Sequence, residues 1–113
     1  MTISVRALVP AAVAIAGPAH AELEISTASY RCERGVIVPA TYLTTEDDAA
    51  VVIQAEGCQI TLSRTPSASG VRYVWPSDGS GYVWWTKGDE ATLGWIDAGH
   101  SEEITLYAAC HAQ

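Results

Sequence analysis

Positive charge is scarce in this sequence: six Lys and Arg stand against thirteen Asp and Glu. A domain this acidic repels nucleic acid and anionic membrane surfaces and attracts basic partners. Metal-ligand patterns are missing as well. No Cys-x-x-Cys occurs, and His100 and His111 are not at paired ligand spacing. The acidic run Glu46-Asp47-Asp48 lacks the alternation and the glycine of a calcium loop; it reads as a solvated turn. No metal or other cofactor is expected. No Gly-x-Ser-x-Gly fixes a nucleophile. Asp89 and Glu90 are adjacent, so a strand points them to opposite faces and they cannot cooperate as a carboxylate pair. The stretch Asp78-Gly79-Ser80-Gly81 has no lysine and no following helix; it suits a hairpin turn, not a phosphate loop. These absences argue against an enzyme. Repeats, low-complexity tracts and a sustained helical period are also lacking.

Long apolar runs are missing too. The apolar run from Ala7 to Ala16 is too short for a bilayer, which needs about 20 apolar residues. Arg6 precedes it, Pro18 follows, and Ala19-His20-Ala21 has the small-x-small pattern of a cleavage site. Residues 1–21 are therefore expected to be a cleaved secretory signal peptide, with 22–113 as one mature domain. No cysteine near the cleavage site offers a lipid attachment point, so the mature chain is expected to be periplasmic or secreted and not inserted in a membrane. All thirteen acids and five of the six basic residues lie beyond Ala21, a mature net charge of −8.

What remains is β-rich. Short β-prone runs recur at 29–33, 36–43, 49–55, 58–63, 71–75, 81–86, 90–96 and 103–109. Turn residues such as Glu56-Gly57, Ser67-Ala68-Ser69-Gly70 and Gly88-Asp89 divide them. Eight such runs predict an all-β fold, a small eight-stranded antiparallel barrel or a sandwich. Alternation then assigns an inward set: Tyr30 and Cys32; Cys58, Ile60 and Leu62; Ala91, Leu93 and Trp95; Ile104, Leu106, Ala108 and Cys110. Trp84 and Trp85 are adjacent and must face opposite ways, so the four tryptophans are expected to fill the interior and pack the outer face near strand ends. A row of exposed tryptophans stacking on sugars is the competing reading.

Three cysteines follow the leader. In a closed barrel the first and last strands are neighbours, so Cys32 and Cys110 form a candidate disulfide. Cys58 would then be a buried, inert thiol. Pairings of Cys58 with either partner stay open at this level.

Lys87, the one lysine beyond the leader, sits where the aromatic run Tyr82-Val83-Trp84-Trp85 ends in a glycine turn. A second small polar loop precedes Val71-Arg72-Tyr73. Ser69-Gly70-Val71-Arg72-Tyr73 and Trp85-Thr86-Lys87-Gly88-Asp89-Glu90-Ala91 together resemble the two signature motifs of the bacterial inhibitors of c-type lysozyme, a family with a membrane-bound lipoprotein branch and a soluble periplasmic branch. Tyr30, Cys32 and Cys110 extend the likeness over most of 29–110. The resemblance implies an eight-stranded antiparallel barrel that occludes the lysozyme cleft and is not itself an enzyme. Carried over, the lysozyme-binding residues are Ser69 and Lys87, with Gly70, Tyr73 and Gly88; Tyr73 and Trp85 would brace the loops. A retaining glycosidase sets its two carboxyl groups about 5–5.5 Å apart. A lysine ammonium brings three donors and a compact charge to such a site. Two features depart from the motifs: no lipid-carrying cysteine follows the leader, and Cys58 is an extra thiol.

Overall fold

Eight strands follow one another around a closed barrel, each hydrogen-bonded to the next and β8 returning to β1. The computed structural model describes residues 22–76, 79–99 and 102–113. The expected leader lies outside the described residues. The strands are β1 (Glu24–Arg31), β2 (Ile37–Thr44), β3 (Ala49–Ala55), β4 (Cys58–Thr65), β5 (Val71–Val74), β6 (Gly81–Lys87), β7 (Glu90–Asp97) and β8 (Glu102–Ala112). Every pairing is antiparallel. The expected all-β barrel is the observed one.

Small inward side chains leave room for a few large ones. Val38, Ala40, Val51, Ile53, Ile60, Leu62 and Leu93 line the interior around Trp84, which is fully buried. Tyr30 meets the Trp84 ring edge-on at 5.1 Å between centroids. Buried polar tips still need partners, and they find one another. Trp84 Nε1 donates to the Tyr42 hydroxyl at 2.9 Å, and the Tyr30 and Tyr42 hydroxyls lie 2.7 Å apart. Burial pushes the Tyr42 hydroxyl far above its ordinary pKa, so the interior stays uncharged. Trp85, one residue on, faces outward on the strand, as alternation requires.

Alternation alone misplaces part of the core. On β8, Cys110 lies opposite Ala91, Tyr107 opposite Leu93 and Ile104 opposite Trp95, with register shifts between these pairs. The extra residues are bulges, and Ala109 takes a positive φ of 52° within that stretch. A bulge inserts one residue and so reverses parity beyond it. Tyr107 therefore faces inward opposite Leu93, in the place strict alternation gives to Ala108, while Leu106 packs against the core as alternation expects. Ile104 keeps inward parity but lies at the barrel rim, 49% exposed. Trp95 is only half-buried for the same reason. Cys58 is a further correction: it has inward parity, but it closes the Glu56-Gly57 hairpin at the rim and is exposed, not buried. We expect Cys58 to react with an aromatic disulfide reagent in the native protein within seconds to minutes, one thiol per chain. A thiol that reacts only in denaturant would contradict this exposure.

The first strand is longer than its predicted span of 29–33. It begins at Glu24 because β2 offers a continuous partner, Glu24 opposite Thr44 through to Arg31 opposite Ile37. It ends at Arg31, since Cys32 enters a 3-10 turn, Glu33–Gly35. The β1–β8 seam is short, only Tyr30 opposite Ala112 and Arg31 opposite His111. Just beyond it the Cys32–Cys110 disulfide ties the end of the first strand to the last.

Candidate functional site

An up-and-down barrel sends alternate hairpins to opposite ends. The β2–β3 (45–48), β4–β5 (66–70) and β6–β7 (88–89) connections therefore share one end. Ser69 lies on the second of these and Lys87, the last residue of β6, borders the third; both are exposed.

The two tips touch. Gly70 holds a φ of 66°, and a Cβ there would run into the Thr86 carbonyl oxygen, with Lys87 Cγ at 2.7 Å and Trp85 Nε1 at 2.9 Å. Only glycine fits that backbone and that gap. Trp85 Nε1 donates to the Ser69 carbonyl at 3.0 Å, and Ser67 Oγ donates to the same oxygen at 2.6 Å. The Ser69 carbonyl is thus tied down while its hydroxyl has no partner among the described residues. Lys87 Nζ sits 4.4 Å from the centroid of the same Trp85 ring. The cross-strand neighbour of Lys87 is Glu90, yet Lys87 makes no ion pair among the described residues. An exposed cation–π contact is worth about 0.5–1 kcal/mol. It restrains a side chain that otherwise loses up to about 2 kcal/mol of rotamer freedom when a partner fixes it. Gly88 has a φ of 59° with nothing near it, so it turns the hairpin and leaves the tip open.

Tyr73 differs from the others in the proposed binding set. Its ring is inside the barrel, 6% exposed and 5.8 Å from the Tyr42 ring. From there it is placed to brace the β5 end of the loop. Trp85 is the larger part that motif spacing under-reads, because its two tasks, holding the Ser69 carbonyl and carrying the Lys87 ammonium, depend on cross-strand register.

Charge around the tips is mostly negative. The β2–β3 turn presents Glu46, Asp47 and Asp48, all exposed, and Asp89 and Glu90 flank Lys87. Arg64, one of the other cations near this end, donates from Nη2 to the Asp47 carbonyl at 2.9 Å. A hollow of about 390 Å³ lined by Asp47, Asp48, Arg64, Ser67 and Gly70 lies on one flank, and one of about 220 Å³ lined by Trp85, Lys87 and Glu90 on the other. The largest hollow, about 570 Å³, is at the opposite end. There β2–β3 pairing stops at Ala40 opposite Ile53, next to Pro39, which has no N–H to give. Among the described residues the two touching tips present one ammonium without an ion pair and one hydroxyl without a hydrogen-bond partner.

The far rim carries the other tryptophans. Trp75, 40% exposed, and Tyr82 are 6.0 Å apart, and Tyr82 and Trp95 5.0 Å, in a row across neighbouring strands. Tyr82 donates to Glu56 Oε1 at 2.8 Å, which more than burial pushes its pKa up to about 12. No helix among the described residues is long and apolar enough to cross a membrane.

Comparison with known proteins decides the family. Residues 30–102 match the family model described as membrane-bound lysozyme-inhibitor of c-type lysozyme, MliC. The chain belongs to the MliC family. A membrane-bound lysozyme inhibitor of C-type lysozyme from Pseudomonas aeruginosa is 38% identical over 80 residues, 70% of this chain and 60% of that protein. One from Cupriavidus necator is 36% identical over 70 residues, 62% of this chain and 53% of its own length. The matched segments thus span less than two thirds of these MliC relatives. Pseudomonas aeruginosa MliC, solved in complex with hen egg white lysozyme, superposes with a TM-score of 0.63 at 28% identity, covering 92% of this chain and 98% of that one. The periplasmic inhibitor PliC from Salmonella typhimurium, at 24% identity and a TM-score of 0.66, shares the fold; it covers 80% of this chain and 99% of its own.

Proposed function

We propose that this MliC-family chain is an inhibitor of c-type lysozyme that occludes the catalytic cleft by inserting Lys87 and Ser69 toward the catalytic carboxylates. The observation that carries this reading is the juxtaposition of a free ammonium and a free hydroxyl on two touching hairpin tips at one end of a rigid barrel. The family match and the lysozyme complex of the Pseudomonas relative support the choice of partner. Lys87 supplies charge to the carboxyl pair, Ser69 a hydrogen bond, and Gly70 and Gly88 keep the tips slim. No bond of the lysozyme or of its substrate is broken by the inhibitor; inhibition is exclusion of glycan from the cleft.

Electrostatics fit the same partner. Lysozymes of this class are commonly basic with an acidic cleft. The acidic turn at 46–48 and the flanking Asp89 and Glu90 complement the basic surround, and Lys87 complements the acidic centre. Residues 1–21 act in this reading as the export leader, delivering the chain to the periplasm or beyond. The test is a titration of c-type lysozyme with the protein. Lytic activity should fall almost in proportion to inhibitor added, reaching near zero at about one equivalent. Undiminished lysis at several-fold excess would end the proposal.

A second reading rests on the far rim, where Trp75, Tyr82 and Trp95 form an aromatic row suited to stacking on sugars. It makes the chain a glycan-binding module. Retention on peptidoglycan fragments without any effect on lysozyme would favour it.

A further inference from the structure

We propose that Arg72 is a positioning residue for the inhibitory tips: held by Glu103, it steadies the Trp85 indole that carries Lys87 and ties down Ser69. The inference rests on the lysozyme-inhibitor reading and deepens it by adding two residues.

Two of the five cations beyond the leader converge on one ring. Arg72 lies directly opposite Trp85 in the β5–β6 ladder, with its guanidinium carbon 5.7 Å from the ring centroid, while Lys87 Nζ lies 4.4 Å from it. Two cations on one indole repel. Glu103, on β8, removes that conflict: its Oε1 accepts from Arg72 Nη2 at 3.0 Å, the one ion pair among the described residues. The reach is long, from the last strand across β7 and β6 to β5. On its way the acid passes over Gly94, where even a Cβ would meet Glu103 Cγ only in ordinary van der Waals contact at 3.5 Å. Val83, opposite Gly94 on the outer face, is 1% exposed beneath this crossing.

Stability does not account for the arrangement. The side chains of Arg72 and Glu103 are 24% and 41% exposed, and ion pairs of that exposure contribute little to stability. What the pair does is geometric. It draws the guanidinium toward β8, neutralises it, and leaves the Lys87 side of the indole to the ammonium. The indole in turn keeps its N–H on the Ser69 carbonyl. Arg72 thereby acts on both tips through a single ring.

The experiment compares Arg72→Met, Glu103→Gln, Lys87→Ala and the Arg72→Met/Lys87→Ala double variant. Dissociation rates from c-type lysozyme are measured, with ¹⁵N-indole NMR of the free protein. Arg72→Met should weaken lysozyme binding about ten-fold, mostly through faster dissociation, and Glu103→Gln several-fold. The double variant should be within about three-fold of Lys87→Ala alone, because most of the Arg72 effect runs through Lys87 and only the smaller Ser69 part remains. In the free protein the Trp85 indole resonance should shift in both single variants, and its N–H should exchange several-fold faster. Unchanged indole exchange overturns the proposal, as do losses from Arg72→Met and Lys87→Ala that multiply in full. Should the parent chain not bind lysozyme, the inhibitor reading fails, while the indole signature still decides whether Arg72 and Glu103 hold Trp85. Glu103→Gln keeps the shape of the acid, so the decision does not depend on the more disruptive Arg72→Met.

Discussion

Lys87→Ala is expected to leave the barrel folded and to cost about 2–5 kcal/mol of binding to c-type lysozyme, the range for one partner of a buried, hydrogen-bonded charge pair at an interface. At about 1.4 kcal/mol per decade, that is a dissociation constant raised about thirty-fold at the low end and more than a thousand-fold at the high end. Nothing nearby can stand in for the missing ammonium. Arg64 is bonded to the Asp47 carbonyl, and Arg72 is paired with Glu103. The remaining charge around the tips is acidic, so a variant without Lys87 presents negative loops to a negative cleft. Lys87 is exposed and free of ion pairs among the described residues, so thermal unfolding should move little; surface changes of this kind stay within about 0.5 kcal/mol. Calorimetric or kinetic titration against lysozyme measures the loss. A variant that inhibits as tightly as the parent refutes the insertion of Lys87. Ser69→Ala removes a neutral hydrogen bond and should cost less, about 1 kcal/mol.

The sequence made the barrel readable because each strand is short, bounded by turn residues and alternating. Those are local properties. Chain order then predicts the Cys32–Cys110 pair, since closing the barrel makes first and last strands neighbours. It also predicts one shared end for the Ser69 and Lys87 loops, since two hairpins separated by two strands return to the same side. What was not legible depends on register and on the rim. Nothing local announces the bulges that bring Tyr107 inward in place of Ala108. Parity correctly aims Cys58 and Ile104 inward but does not say that the wall ends beside them. The Arg72–Glu103 pair joins residues 31 apart in sequence. It depends on the register that brings β5 and β8 side chains to one outer face, and neither residue type marks it. Tyr73 shows the reverse case. A motif reports that a tyrosine is wanted, and only the fold tells whether its ring faces a partner or the core.

The disulfide carries the other large effect. The model of loop closure puts a crosslink over a separation of 78 residues at about 4–5 kcal/mol of stabilisation. Small domains have only about 5–15 kcal/mol in total. Cys32→Ala with Cys110→Ala should therefore lower the unfolding midpoint by roughly 20 °C or more, taking about 4–8 °C per kcal/mol for a domain of this size. The companion change Cys58→Ser keeps the exposed thiol from exchanging with the others. An unshifted midpoint would mean that the short seam closes the barrel without help. The seam argues otherwise, because only two residue pairs join β1 to β8, and Gln113 N adds one bond to the Ser29 carbonyl. Opening should begin there and travel toward the tips. Ala112 N donates to the Asp89 carbonyl at 2.8 Å, so the end of β8 holds the loop that presents Lys87. Lysozyme should accordingly dissociate faster from the crosslink-free protein even at temperatures where the barrel stays folded, and Asp89, Lys87 and the seam should lose amide protection together. If the seam loosens while the Lys87 tip keeps full protection and full affinity, the tip is held by β6 and β7 alone and the far strand has no hand in presenting it.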